Sequence, residues 1–232
     1  MYKRFACIPA RGGSVRVPRK NLLEINGKPL LAYAVDSALA TGLFDEVFVN
    51  SDSDEILQVA ERCGAQAYRR PLQLGRGDVF LVHLLHEMIK NMEWGESEML
   101  AVLLPTCPLR RPHHIREAVE LFEKHGGSHS VASVCEYETP IHLAQFVDHE
   151  GRLSPYFPDD YLRSTRSTDH PAAFRFNEAV VINSAQGFLG QNTLIGSRPL
   201  PYIMDPAHSI AIDYDYQVNM VSSMLQFEDT DR

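Results

Sequence analysis

The sequence lacks the features that define several large protein classes. Only four of its 232 residues are cysteine, and none of them forms a C-x-x-C pair, which argues against a zinc ribbon or a redox motif. It has neither a signal-peptide pattern nor an apolar run near the roughly 18 residues of a membrane span. The net charge of -8 argues against nonspecific binding to nucleic acid or anionic membranes. We therefore expect a cytoplasmic protein with reduced thiols and without nucleic-acid or membrane partners.

The motifs of several common enzyme classes are missing as well. Neither the P-loop pattern G-x-x-x-x-G-K-[ST] nor the dinucleotide fingerprint G-x-G-x-x-G occurs. The nucleophile elbow G-x-S-x-G and the metalloprotease pattern H-E-x-x-H are absent too. The ten histidines form no convincing set of metal ligands. These absences argue against a nicotinamide dehydrogenase, a P-loop enzyme and a zinc hydrolase.

Strand and helix patterns alternate through the first half of the chain. Apolar strands are predicted at 5–8, 46–49, 65–68, 99–104 and 130–134, and helices at 29–40, 54–63, 78–94 and 112–126. This alternation predicts an α/β fold, a three-layer, doubly wound and mainly parallel sheet of the Rossmann-like kind. Strands at 176–182 and 209–212 and a helix at 216–227 are predicted to complete it. We interpret residues 1–232 as a single domain with a β-rich excursion at about 137–170.

A cationic loop with two adjacent glycines follows the first predicted strand. Gly12 and Gly13 allow the backbone to approach a ligand and turn N–H groups toward it. The cationic side chains of this loop are Arg11, Arg16, Arg19 and Lys20. Cations beside exposed backbone donors suit a polyphosphate. The alternative is a solvated basic loop without a ligand.

This loop resembles the signature A-R-G-G-S-K-x-[IV]-P-x-K-N of the acylneuraminate cytidylyltransferases, the CMP-sialic acid synthetase family. The matching residues are Arg11, Gly12, Gly13, Ser14, Pro18, Lys20 and Asn21. Further segments resemble family elements in the same order, at 26–30, 47–52, 69–71, 103–110, 163–182 and 209–215. The resemblance extends from Ile8 to about Leu225.

The resemblance implies a nucleotidyltransferase that joins CTP to a nine-carbon, sialic-acid-like sugar and releases pyrophosphate. It implies catalytic roles for Arg11, Lys20 and Asp213. It also implies that nucleotide is bound by Arg11, Gly12, Gly13, Ser14, Arg16, Lys20, Asn21, Arg70 and Thr106, and sugar by Arg163, Arg166, Arg175 and Asn177. Mg²⁺, or alternatively Mn²⁺, would bind at Asp213 and Asp215. A homodimer is implied as well, with the excursion reaching toward the partner's cleft.

Some sequence features leave alternatives open. Asp213 and Asp215 would point the same way on an extended strand, but either could instead cap the last helix. Asp52 could contact ligand, although we favour a role in starting the helix at 54. Val15, Leu104 and Ala211 replace a lysine, a glutamine and an aspartate of the family pattern, and Glu178 replaces a glycine. These departures keep a second hypothesis open, a weakened or non-catalytic relative that binds nucleotide or sugar with altered specificity.

Overall fold

The computed structural model describes residues 2–14, 16–77 and 79–230. Two residues with a role in the predictions lie outside the described residues. They are Val15, which departs from the family signature, and Asp78, with which a predicted helix begins. A seven-stranded sheet forms the centre of the described structure. Its strands are β1 (Arg4–Pro9), β4 (Glu46–Ser51), β5 (Gln66–Arg69), β6 (Met99–Val102), β7 (Val131–Glu136), β10 (Phe174–Ser184) and β11 (Leu200–Ile203). Two small hairpins pair β2 (Glu24–Ile25) with β3 (Lys28–Pro29), and β8 (Gln145–Val147) with β9 (Leu153–Pro155).

Helices cover both faces of the sheet, as predicted. The helices are α1 (Leu30–Leu39), α2 (Asp54–Arg62), α3 (Leu81–Asn91), α4 (Pro112–Lys124), α5 (Pro158–Arg163), α6 (Ala185–Leu189) and α7 (Asp215–Thr230), and α5 belongs to the excursion rather than to a face of the sheet. Alternate β1 residues face opposite sides: Ala6 and Ile8 pack with α1, α2 and α4, whereas Phe5 and Cys7 pack with α3 and α6. The predicted three-layer arrangement is confirmed.

The sheet order is β11-β7-β10-β6-β1-β4-β5. The pairs β1–β4, β1–β6, β4–β5 and β7–β11 are parallel. Strand β10 is inserted between β6 and β7 and runs antiparallel to both. Its register against β7 shifts between Phe176 and Val181, which marks a bulge. The mainly parallel sheet is confirmed, and β10 contributes its only antiparallel pairings within the described residues.

The strand predicted at 209–212 is wrong. This segment joins no strand, because its backbone has other partners: the Ile212 N–H donates to the Thr106 carbonyl at 2.8 Å. The Ile212 side chain is buried with Leu30, Val221 and Leu225, where α7 packs on the rest of the domain. Asp213 therefore lies in a loop, and Asp215 is the first residue of α7. The two carboxylates do not share one face of a strand.

Several further elements differ from the prediction. Strand β11 at Leu200–Ile203 was not predicted, since it is short and contains a proline. Helix α3 ends at Asn91 rather than at Trp94, whose ring instead stacks on Phe5 with centroids 4.3 Å apart. The excursion holds the β8–β9 hairpin and helix α5, so it is only partly β-rich.

Candidate active site

A cavity of about 320 Å³ lies at the carboxyl ends of the parallel strands. We call it the cationic cavity, because five cationic residues line it, three from the loop after β1 and two from the segment that follows β5. They are Arg11, Arg16, Lys20, Arg70 and Arg76. The cavity is also lined by Ser14, Asn21, Leu104, Thr106 and Gly77. The structure therefore brings together most of the residues that the sequence assigned to a nucleotide, and half-buried Leu104 faces the same space.

The loop after β1 is fixed by two hydrogen bonds. Arg11, Arg16 and Lys20 line the cavity, whereas exposed Arg19 pairs with Glu55 outside it. The Gly12 N–H donates to Asp52 Oδ1 at 3.0 Å, and buried Asn21 donates from Nδ2 to the Arg11 carbonyl at 2.9 Å. Asp52 thus holds this loop through the amide of Gly12. Ser53, not Asp52, precedes helix α2 as its N-cap residue. The Asp52 carboxylate occupies the Gly12 N–H. The space beside the Gly13 Cα is open, with no atom within 4 Å of where a Cβ would lie.

Arg70 is rigidly held in the cavity wall. Its Nε donates to Asn50 Oδ1 at 2.7 Å, and its Nη2 donates to the Asn50 carbonyl. Its side chain is 3% exposed, and burial lowers the pKa of the guanidinium. A cation that lacks its full hydration and has a fixed position is well suited to bind an anion that enters the cavity.

Asp213 connects the loop before α7 to the loop after β1. Its Oδ1 accepts from Arg16 Nη2 at 3.0 Å and from Lys20 Nζ at 3.1 Å. Lys20 Nζ also donates to the Ile212 carbonyl at 2.8 Å. The Tyr214 ring lies under the Arg16 guanidinium, 5.2 Å from its centroid. Asp213 therefore partly neutralises two of the cations that the sequence assigned to phosphate.

A second cavity of about 380 Å³ lies next to the cationic cavity. Asp213, Glu178, Arg175 and Asn177 line it. The Arg175 guanidinium donates to the Ser209 carbonyl at 3.2 Å. The cavities meet at two contacts, Lys20 with Asp213 and Thr106 Oγ1 with Glu178 Oε2 at 3.4 Å. This arrangement provides one space for an anionic group and another beside it for a second ligand.

The four residues assigned to sugar are not gathered in this cavity. Asn177 is buried at its wall, and its Nδ2 donates inward to Ser209 Oγ at 2.9 Å. Arg163 and Arg166 are exposed on the excursion, and Arg163 pairs with Asp160 at 2.8 Å. Neither of these two arginines lines the cationic or the second cavity. Arg175 is the one arginine of the set that lines the second cavity.

Glu178 is a site residue to which the sequence assigned no role. It occupies the β10 bulge with φ 65°, a left-handed conformation that glycine adopts without strain. The side chain is half-buried, and burial, followed by the nearby charge of Asp213, raises the pKa of its carboxyl group. The one sequence signal was a charged residue where the family pattern has glycine.

The carboxylates assigned to metal differ in their surroundings. Asp213 lies in the cleft, whereas Asp215 is exposed at the start of α7. Ala211 packs against the core beside the sheet, so its methyl group is accommodated. Among the described residues, no three His, Cys, Asp or Glu side chains are grouped so that they could hold a metal ion. Within the same residues, no helix combines the length and apolar character needed to cross a bilayer.

Comparisons with known proteins agree with this geometry. A sequence model of a family described as Cytidylyltransferase matches residues 5–184. The chain is 33% identical over 214 residues to an N-acylneuraminate cytidylyltransferase of Escherichia coli O18:K1:H7, covering 91% of this chain and 49% of that protein. It is 30% identical over 205 residues to a pseudaminic acid cytidylyltransferase of Campylobacter jejuni, covering 87% of both chains.

The comparisons extend to a third sequence and to solved structures. A CMP-N,N'-diacetyllegionaminic acid synthase of Legionella pneumophila is 29% identical over 217 residues, covering 92% of this chain and 91% of that protein. A CMP:2-keto-3-deoxy-manno-octonic acid synthetase complexed with CTP has the same fold, with a TM-score of 0.72, 16% identity, and coverage of 97% of this chain and 99% of that one. The chain spans about half the length of the Escherichia coli relative.

Proposed function

Because this chain belongs to the cytidylyltransferase family, we propose that it transfers CMP from CTP to a sialic-acid-like nonulosonic acid and releases pyrophosphate. The observation that carries this proposal is the pair of adjoining cavities. The cationic cavity is suited to a triphosphate, and the second cavity offers a neighbouring space of sugar size with Arg175 as a carboxylate partner. Three relatives whose names specify nonulosonic acids support the sugar class.

The reaction requires an aligned hydroxyl and neutralised phosphate charge. The sugar's anomeric hydroxyl attacks the α-phosphorus of CTP, and the pyrophosphate leaves with added negative charge. Arg11 and Lys20 are proposed to bind the triphosphate and stabilise that charge, together with Arg16, Arg70 and the loop amides of Gly13 and Ser14. Thr106 and Asn21 complete the nucleotide site in this proposal. Arg70, held by Asn50, needs no reorganisation to act.

Asp213 is the proposed protein ligand for Mg²⁺ or Mn²⁺, because its carboxylate oxygens match the ligand preference of these ions. The ion, when bound with nucleotide, would neutralise phosphate charge. Arg16 and Lys20 pair with Asp213 in the free protein, so its release for a metal requires these cations to turn toward the phosphates. Asp215 is the weaker candidate, because it lies at the exposed start of α7. With so few carboxylates available, metal should bind mainly together with the nucleotide.

The test of the proposed function is a pyrophosphate-release screen. Each of four NTPs is combined with a panel of nine-carbon acidic sugars, including sialic, legionaminic and pseudaminic acids, in the presence of Mg²⁺. We expect release with CTP and at least one of these sugars. Comparison of the four NTPs also measures which base the protein prefers. This preference is of interest because the Leu104 side chain has no hydrogen-bonding group to offer a base. Nucleotide binding without pyrophosphate release from any pair would favour the non-catalytic relative.

Activity should require a divalent ion and should depend far more on Asp213 than on Asp215. Asp213→Asn removes a charged oxygen ligand from the cleft, whereas Asp215→Asn alters an exposed helix residue of similar chemistry. The measurement is kcat as a function of Mg²⁺ concentration for the wild type and both variants. Equal effects of the two substitutions would overturn the ranking, and full activity in excess EDTA would overturn the metal assignment.

We also propose that a second copy of the chain covers the excursion. Several of its large apolar side chains are more than half exposed: Val147, Leu153, Tyr156 and Leu162. Such a concentration of apolar surface is typical of an interface. Exposed Arg163 and Arg166 belong to the same segment, and pairing would carry them toward the partner's sugar site.

Light scattering should therefore give the mass of two chains. Leu162→Glu should shift the protein toward one chain, because Leu162 is 82% exposed on α5 and a buried carboxylate opposes association. Leu72→Glu is the matched control, since Leu72 is 77% exposed outside the excursion. A single-chain mass for the wild type, or an equal response of the two variants, would contradict the proposed interface.

A further inference from the structure

Glu178 holds a carboxylate at the boundary between the two cavities. Its side chain lines the second cavity, and its Oε2 lies 3.4 Å from Oγ1 of Thr106, which lines the cationic cavity. A group that takes a proton from the attacking hydroxyl must occupy such a boundary, because this hydroxyl lies between the sugar and the α-phosphorus. The bulge of β10, where Glu178 has φ 65°, sets this position.

The other carboxylates of the cleft are already engaged. Asp213 accepts hydrogen bonds from Arg16 and Lys20, and Asp52 accepts from the Gly12 amide. Among the described residues, the one hydrogen bond that reaches the Glu178 carboxylate is the long contact with the Thr106 hydroxyl at 3.4 Å. No histidine lines either cavity among the described residues. Glu178 is therefore the side chain best able to accept a proton at the boundary.

Charged and titratable groups of both signs surround Glu178. The negative charge of Asp213 approaches it from the loop before α7, and the positive charges of Lys20 and Arg16 approach from the loop after β1. The buried thiol of Cys107, the residue after Thr106, is a further titratable group that interacts with Glu178. A carboxylate in these surroundings is close to phosphate-binding cations without being paired to either of them in the structure.

We propose that Glu178 is the catalytic base of this transfer, a role that rests on the proposed function. As the sugar hydroxyl oxygen forms its bond to the α-phosphorus, the bond from that phosphorus to the pyrophosphate oxygen breaks. The hydroxyl proton passes to the Glu178 carboxylate and from there to water, so that atoms and charge balance. The residue occupies a backbone conformation that favours glycine, and strain of this kind is concentrated at functional sites.

Three variants test the role. Glu178→Gln retains the shape and the left-handed backbone but cannot accept the proton, so kcat should fall about a hundredfold or more with KM for CTP little changed. Glu178→Gly should lose kcat similarly while its Tm rises by about 2–4 °C, because glycine relieves the strain. The matched control is Glu93→Gly, since Glu93 is exposed with φ 52° just beyond α3; its Tm should rise without any change in kcat.

Chemical rescue separates a proton acceptor from a structural residue. Sodium formate should restore part of the kcat of Glu178→Gly, because the vacated space admits a small carboxylate. Sodium chloride at equal ionic strength should not, and Glu178→Gln, whose amide fills the space, should not respond to formate. The role is overturned if Glu178→Gln has wild-type kcat, or if Glu178→Gly loses kcat and formate does not restore it. In either case an active wild type leaves the proposed function intact. A wild type that releases no pyrophosphate overturns both.

Discussion

Replacing Lys20 with alanine should reduce kcat by about a hundredfold or more, a loss of a few kcal/mol of transition-state stabilisation. The Lys20 side chain is only 15% exposed at the boundary of the two cavities, where Asp213 and the Ile212 carbonyl hold its ammonium group. In a partly desolvated position, a cation stabilises the departing pyrophosphate more strongly than it would in water. Arg11→Ala should have a loss of similar size, since Arg11 lines the same cavity.

The measurement is kcat for pyrophosphate release, together with the urea midpoint of each variant. Lys28→Ala is the matched control, because Lys28 is a partly exposed lysine that pairs with Asp36 and lines neither the cationic nor the second cavity. It should retain wild-type kcat. Wild-type rates for both Lys20→Ala and Arg11→Ala, at unchanged stability, would remove the loop after β1 from the mechanism.

The largest effect on stability is expected for Arg110→Ala, which should lower the free energy of unfolding by about 3 kcal/mol. Arg110 is 2% exposed, and burial lowers the pKa of its guanidinium to about 10, so it stays charged at neutral pH. Its Nη1 donates to the Ala179 carbonyl at 2.7 Å and to the Leu104 carbonyl at 3.1 Å. The substitution leaves these buried carbonyls without their donor and opens a cavity.

Urea unfolding of Arg116→Ala provides the comparison. Arg116 also donates to two carbonyls, those of Ala40 at 2.7 Å and Thr41 at 3.4 Å, but its own side chain is exposed. Water replaces its hydrogen bonds, so the loss should be about 0.5–1 kcal/mol. Equal losses from the two variants would show that burial of Arg110 contributes nothing to its importance.

The first half of the fold was predictable because its signals are local. Apolar strands such as 5–8 and helices bounded by proline and glycine, such as 29–40, are encoded within short windows. The direction of β10 is not encoded in a short window, because it depends on pairing with β6 and β7, which lie far away in the chain. The segment 209–212 has the composition of a strand, but packing of Ile212 beside Leu30 and Val221 overrides that local preference.

The site residues also fall into two groups, those that local sequence predicted and those that depend on the folded structure. Arg11, Arg16 and Lys20 were predictable as a group because they share one loop with two glycines. The sequence did not predict that Asp52 holds the Gly12 amide, since residues 40 positions apart meet only after β1 and β4 have paired. Glu178 was recognised only as a departure from the family pattern, because its importance depends on the bulge in β10 and on the two cavities beside it.

The insertion of β10 between β6 and β7 has a consequence for synthesis on the ribosome. Strands β6 and β7 leave the ribosome early, but each lacks a neighbour until residues 174–184 have emerged. While the whole excursion is being translated, β6 therefore has one open edge and β7 has no partner in the sheet. Unpaired edges of this kind join the strands of other chains. Emergence of β10 is thus the step that joins β7 to the rest of the sheet, and β11 covers the other edge of β7 only afterwards.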